Sequence, residues 1–201
     1  MSARPRTIPP MLTSLPNILT LSRIAIIPIV VALFFFPGPW PAWIAAGLFA
    51  VACITDWFDG YLARAWQEES AIGKFLDPIA DKLLVAAVLI MLVANRHIAD
   101  LAVLPAVVIL LREVMVSGLR EFLAGLRVSV PVSQLAKWKT GIQMLAIGWL
   151  IVGEHGPAGW PVTFIGEVGL WLAAVLTLST GWDYLRAGLR HMLAPGGGKN
   201  E

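Results

Sequence analysis

A chain of 201 residues that is 58% hydrophobic and only 14% charged, with a mean hydropathy of +0.76, carries more apolar surface than a soluble domain of this size can hide. A polytopic membrane protein is expected, in contact with a lipid bilayer. The net charge of +2 gives no reason to expect a nucleic-acid partner, and a single cysteine, Cys53, excludes an internal disulfide and a cysteine-based zinc site.

The first sixteen residues (MSARPRTIPPMLTSLP) are basic but show no Ala-x-Ala cleavage site, so they are expected to stay as a cytoplasmic or interfacial segment. Within them, Ile8–Leu15 suits a short amphipathic helix lying along the membrane surface. The stretch that follows, Leu15 to Ile24, spaces Asn17, Thr20 and Arg23 by three residues each, which lines them up along one helical stripe. Pro16 and Asn17 suit helix initiation as well as ligand contact. Arg23 differs, because an arginine inside an apolar helix needs an anionic partner.

Six apolar segments follow: Ile24–Phe36, Trp43–Ile54, Leu83–Ala94, Leu101–Leu111, Met144–Val152 and Val162–Leu178. The expected fold is an all-α membrane protein with six transmembrane helices and an N-terminal interfacial segment. Several segments fall short of the ~20 residues that span a bilayer, yet their helical pattern runs on into Asp56–Arg64, Arg112–Leu126 and Tyr184–Met192. Those helices are expected to protrude on one side. Of the fifteen Lys and Arg, only Arg96 falls in the loops Pro37–Pro41, Asn95–Asp100 and Gly153–Pro161. The positive-inside rule therefore puts the protruding ends and both termini in the cytoplasm. Trp40, Trp43 and Trp160 would mark the outer boundary, and Trp57, Trp66, Trp138 and Trp182 the inner one. Residues 1–194 read as one domain and Pro195–Glu201 as a disordered tail.

The chemistry concentrates between Asp56 and Asp81, in DWFDGYLARAWQEESAIGKFLDPIAD. Asp56 and Asp59 are three apart, Asp77 and Asp81 four apart, so each pair lies on one face if its segment is helical. Helix capping or surface ion pairing would suit one such pair, but not all four carboxylates together. Four acidic groups beside apolar segments repel one another unless cations hold them. Oxygen-only ligands select hard ions, and four carboxylates can hold two of them, Mg2+ or Mn2+. No histidine lies near: His97, His155 and His191 fall in loops or near the C-terminus, so any general base must be a carboxylate.

Further along, Arg112 and Arg120 are eight apart in Leu-Arg-Glu-Val-Met-Val-Ser-Gly-Leu-Arg-Glu, and Lys137-Trp138-Lys139-Thr140 follows after a short loop. A solvated basic patch attracting anionic headgroups is a sufficient account of Arg127. Arg112 and Lys139 instead sit where apolar helix begins or ends, and bases converging there suggest a phosphate site.

The pattern Asp-x2-Asp-Gly-x2-Ala-Arg-x8-Gly-x3-Asp-x3-Asp, here Asp56, Asp59, Gly60, Ala63, Arg64, Gly73, Asp77 and Asp81, resembles without departure the signature of the CDP-alcohol phosphatidyltransferases. The resemblance implies transfer of a phosphatidyl group from CDP-diacylglycerol to an alcohol, with release of CMP. It implies that Asp56, Asp59, Asp77 and Asp81 hold the two metals and that Asp81 takes the proton from the acceptor hydroxyl. Contacts to CDP-diacylglycerol would come from Asn17, Thr20, Arg23, Asp59, Gly60, Ala63, Arg64 and Gly73. The Arg112 and Lys139 stretches resemble the bacterial branch of the family that uses glycerol 3-phosphate, which makes Arg112, Arg120, Lys137 and Lys139 candidates for binding its phosphate. The same resemblance implies a homodimer in the bacterial cytoplasmic (inner) membrane, its active site facing the cytoplasm. Serine, inositol phosphate or phosphatidylglycerol as acceptor is the alternative within the class. A divalent-cation transporter is the alternative outside it, but a transporter would place its carboxylates near the membrane midplane rather than at one end of two helices.

Overall fold

The computed structural model describes residues 15–66, 71–125 and 134–193. Six helices run in chain order: α1 Leu15–Leu33, α2 Pro39–Trp66, α3 Ala71–Ala94, α4 Val103–Gly125, α5 Gln134–Val152 and α6 Val162–Leu193. Single 3-10 turns at Asp100–Ala102 and Gly153–His155 precede α4 and follow α5. Among the described residues there is no strand. The interfacial segment expected at Ile8–Leu15 falls almost wholly outside them, as do Arg127 and the C-terminal tail.

The prolines sit mostly where a helix tolerates them. Pro39 and Pro41 occupy the first turn of α2, where a missing N–H costs nothing because no intrahelical partner exists there. Pro105 does the same in α4. Pro28 lies inside α1 and removes the one N–H that would reach the Ile24 carbonyl. The helices continue past their apolar stretches, as the pattern requires: α2 to Trp66, α4 to Gly125 and α6 to Leu193. By length and composition, Pro39–Asp56, Asp100–Gly125 and Val162–Arg186 are each long and apolar enough to cross a membrane, and Ile18–Leu33 is a shorter apolar helix. Large apolar side chains such as Ile54, Leu111, Leu145 and Val175 are exposed, which suits contact with acyl chains. Trp40, Trp43 and Trp160, and at the other helix ends Trp138 and Trp182, are also exposed, as interfacial anchors would be.

The chain gathers into two compact units, Met1–Met91 and Leu92–Glu201. In the first, α1 packs on α2, and Val30, Ala45, Phe49, Ala52, Leu84 and Val88 are buried. In the second, α4 and α5 both pack on α6 around Ile109, Ile147, Leu150, Leu170 and Ala173. Close approach of α5 and α6 depends on two glycines. A Cβ at Gly166 would lie 2.6 Å from Leu150 Cγ, and one at Gly169 would lie 2.9 Å from Ala146 Cβ. Small residues at a helix crossing are how apolar helices pack tightly where lipid offers no hydrophobic drive. His97 Nδ1 lies 2.9 Å from the Leu150 carbonyl oxygen, and its ring rests against Gly153, whose φ of +53° suits glycine. His97 thus ties the loop before α4 to the C-terminal end of α5.

Candidate active site

In the first unit, α2 carries Asp56, Asp59, Gly60, Ala63 and Arg64 on one uninterrupted helix, with spacings that place them along a single stripe. Gly73, Asp77 and Asp81 occupy α3 at intervals of four, again one stripe. The side chains of Asp59, Ala63, Arg64 and Asp77, and the surroundings of Gly60 and Gly73, lie outside the described residues, as does the side chain of Asn17. Asp56 and Asp81 are described. Both are partly exposed, and both lie within electrostatic range of the Cys53 thiol, as does Arg23. The carboxylates of α2 and α3 that can be followed therefore share one neighbourhood.

The anionic partner that Arg23 needs is Asp56. Arg23 Nη1 meets Asp56 Oδ1 at 2.7 Å, with the arginine side chain 1% exposed and the aspartate 41%. The buried partner cannot leave, whereas the half-exposed carboxylate keeps a face toward the surroundings. Thr20, one turn earlier on α1, is equally buried, so the Thr20–Arg23 stripe faces into the unit. All four aspartates are oxygen donors, and their chemistry fits a hard divalent cation. Among the described residues no group of three or more His, Cys, Asp or Glu comes together, since only two of the four aspartates are described there.

The second unit holds a different cluster. Arg112 of α4 and Lys139 of α5, 27 residues apart in sequence, both meet the Glu113 carboxylate, Arg112 Nη1 at 3.3 Å and Lys139 through its Nζ. The Arg112 and Lys139 side chains are 9% and 4% exposed. Arg112 Nη2 also donates to Thr180 Oγ1 of α6 at 3.1 Å, and its guanidinium carbon stands 6.0 Å from the centre of the Tyr184 ring. Arg120 and Lys137, grouped with these bases by the sequence, have exposed side chains. Burial thus splits the four basic residues two and two. Glu113, Thr180 and Tyr184 had no assigned part in the sequence reading. The available signal was the spacing Thr177, Thr180, Tyr184, polar groups at helical intervals inside an apolar helix.

The sequence model of the CDP-alcohol phosphatidyltransferase family matches residues 13–179. The chain is 49% identical over 174 residues to the CDP-diacylglycerol–glycerol-3-phosphate 3-phosphatidyltransferase of Rickettsia bellii, an alignment covering 87% of this chain and 94% of that protein. It is 42% identical over 182 residues to the protein of the same name from Shigella flexneri serotype 5b, covering 90% and 97%. To that of Cereibacter sphaeroides it is 39% identical over 215 residues, covering 89% and 97%.

Proposed function

The chain belongs to the CDP-alcohol phosphatidyltransferase family, and on that premise we propose that it transfers the phosphatidyl group of CDP-diacylglycerol to glycerol 3-phosphate, giving phosphatidylglycerophosphate and CMP in phospholipid biosynthesis. The observation that carries the choice of acceptor is near-full-length identity of 39–49% to relatives bearing that activity in their names. Arg112 and Lys139, two bases buried on one carboxylate, support it, since a phosphomonoester acceptor needs a cationic pocket.

The family is generally dependent on divalent cations. Asp56, Asp59, Asp77 and Asp81 would hold two such ions, which when bound neutralise the charge that develops on the diphosphate as CMP leaves. The other roles belong to the chain itself. Gly60 and Gly73 let the nucleotide approach helix backbone that any side chain would screen. Ala63 keeps the same face of α2 shallow, and Arg64 pairs with the diphosphate. Asn17 and Thr20 contact the nucleotide. Arg23 fixes Asp56 and so the orientation of the first carboxylate pair. Asp81 accepts the proton of the acceptor hydroxyl. The oxygen so freed forms the new bond to the phosphatidyl phosphorus, and the bond from that phosphorus to the CMP oxygen breaks. Arg112 and Lys139 bind the acceptor phosphate, with Arg120 and Lys137 adding positive potential near solvent. Lipid tails remain in the bilayer while the headgroup chemistry proceeds where the helices outrun their apolar stretches.

The distribution of basic residues supports a cytoplasmic active site in the inner membrane, and a homodimer belongs to the same proposal. Purified protein should release CMP from CDP-diacylglycerol only when glycerol 3-phosphate and Mg2+ or Mn2+ are both supplied. Release without an acceptor, or undiminished in excess chelator, would contradict the reading. For the orientation, cysteines placed at Gly153 or Gly156 in a Cys53→Ala background should react with an impermeant thiol reagent on intact cells. Cysteines at Glu68 or Glu69 should react only after permeabilisation, and the reverse pattern would overturn the topology.

A further inference from the structure

The core of the second unit holds a polar residue where an apolar one would pack as well. The inward stripe of α5 runs Lys139, Gln143, Ala146, Ile147 and Leu150, all buried. Gln143 is 1% exposed, and its Oε1 has no hydrogen-bond partner among the described residues. An amide oxygen that gives up water and receives nothing in exchange carries a cost that leucine or methionine would avoid at the same position. The place of this residue is specific. Gln143 stands four residues after Lys139, one turn or about 5.4 Å along the same face of α5.

The neighbouring helix repeats the observation. Gly166 lies against Leu150 and Gly169 against Ala146, so α5 and α6 run antiparallel, and Thr177 comes level with the Lys139 turn. Thr177 is fully buried, and its hydroxyl also has no partner among the described residues. One turn further on, Thr180 accepts from Arg112. Buried polar groups left unpaired by the protein are satisfied by a ligand or by ordered water. Two of them, one a turn from Lys139 and the other a turn from Thr180, point to a polar ligand group adjacent to the phosphate. Glycerol 3-phosphate has such a group. Its C1 hydroxyl reacts and its C3 carries the phosphate, while the C2 hydroxyl, on the carbon next to the ester, takes no part in the bonds made and broken.

We infer that Gln143 is the specificity residue for the C2 hydroxyl of the acceptor: its Oε1 accepts a hydrogen bond from that hydroxyl, so that the enzyme distinguishes glycerol 3-phosphate from phosphate esters of simpler diols. The inference rests on the proposed transfer to glycerol 3-phosphate and on the assignment of Arg112 and Lys139 to its phosphate. A site built to bond a hydroxyl rejects the analogue that lacks it, because the buried oxygen then stays unpaired.

The test compares glycerol 3-phosphate with 3-hydroxypropyl phosphate, which keeps the reacting hydroxyl and the phosphate and lacks only the C2 hydroxyl. Each is supplied with CDP-diacylglycerol and Mg2+ to the full-length protein in detergent, and kcat/KM is measured. Wild type should prefer glycerol 3-phosphate about tenfold, the effect of leaving one buried hydrogen-bonding group without its partner. Gln143→Met, which keeps the length of the side chain and removes the amide, should shrink that preference to within about twofold, the loss falling on glycerol 3-phosphate. Lys139→Ala should lower both acceptors and keep the preference, because both carry the phosphate. A Gln143→Met protein that retains the wild-type preference, whatever its activity, would make Gln143 a packing residue and overturn the inference. Should that variant fail to fold, Gln143→Asn, whose amide is retracted by one methylene, should show the same loss of preference in smaller measure. Equal use of the two esters by wild type would overturn the inference without any variant. Wild type that uses neither ester would remove the acceptor reading itself, and the role of Gln143 with it.

Discussion

The two charge clusters use the same residue types in different proportions. On α1 and α2 one buried arginine, Arg23, faces a half-exposed Asp56, with Asp81 of α3 in the same neighbourhood and Asp59 and Asp77 on the same helices. On α4 and α5 two buried cations, Arg112 and Lys139, divide one carboxylate. Among the described side chains, the first joins one cation to one carboxylate and the second joins two cations to one carboxylate. Charges at the edge of an apolar region are stable only when paired or liganded. In the proposed function the first serves cations and, through them, a diphosphate, and the second serves a phosphate directly. A burial pattern that locks the cation in both clusters and leaves a carboxylate as the accessible member is common to the two.

Breaking the first cluster should have the largest consequence. Asp81→Asn should lower turnover by about 10²–10⁴-fold, the contribution of a general base, while CDP-diacylglycerol binding is largely kept because Asp56, Asp59, Asp77 and Arg64 remain. Asp56→Asn should lower turnover and weaken metal and donor binding as well, because it removes a proposed metal ligand and leaves Arg23 buried without its carboxylate. Titrating metal and donor against both variants reads the difference; near-normal activity in either would contradict this account of the site.

The second cluster should fail differently. Arg112→Ala or Lys139→Ala should raise the KM for glycerol 3-phosphate at least ~10-fold, with a much smaller change in the KM for CDP-diacylglycerol. Equal effects on both substrates would erase the distinction between the clusters. Arg120→Ala and Lys137→Ala, whose side chains are exposed, should each change the acceptor KM by less, and the change should shrink as salt is added.

The smallest effect sharpens the comparison by touching neither charge cluster. Gly169→Val would push a side chain into Ala146 where α6 meets α5, costing roughly 1–3 kcal/mol of stability by overpacking. Thermal melting should show the loss. Because α5 carries Lys139 and α6 carries Thr180, the acceptor KM should respond more than the donor KM.

Much of this was legible in the sequence, for reasons that differ by region. The six helices follow from apolar segments bounded by Pro, Gly and charge, and the continuation of α2, α4 and α6 beyond them follows from helical spacing of Asp56–Arg64, Arg112–Leu126 and Tyr184–Met192. Arg23 announced an anionic partner because an arginine in an apolar helix requires one, but spacing within α1 cannot say that the partner is Asp56, 33 residues on. The union of Arg112 and Lys139 was legible as charge and position. Its third member was not, since Glu113 beside Arg112 reads equally well as a solvated neighbour. Thr180 and Tyr184 were hidden for a further reason: their roles depend on which face of α6 meets α4, and that is settled by packing, not by local pattern.

The central claim is that one chain joins a CDP-diacylglycerol donor to glycerol 3-phosphate, and identification of the lipid product tests it most directly. Purified protein given CDP-diacylglycerol, Mg2+ and an equimolar mixture of glycerol 3-phosphate, serine and inositol phosphate should yield phosphatidylglycerophosphate as the main lipid, with CMP released in equal amount. Phosphatidylserine or phosphatidylinositol phosphate as the main product would contradict it.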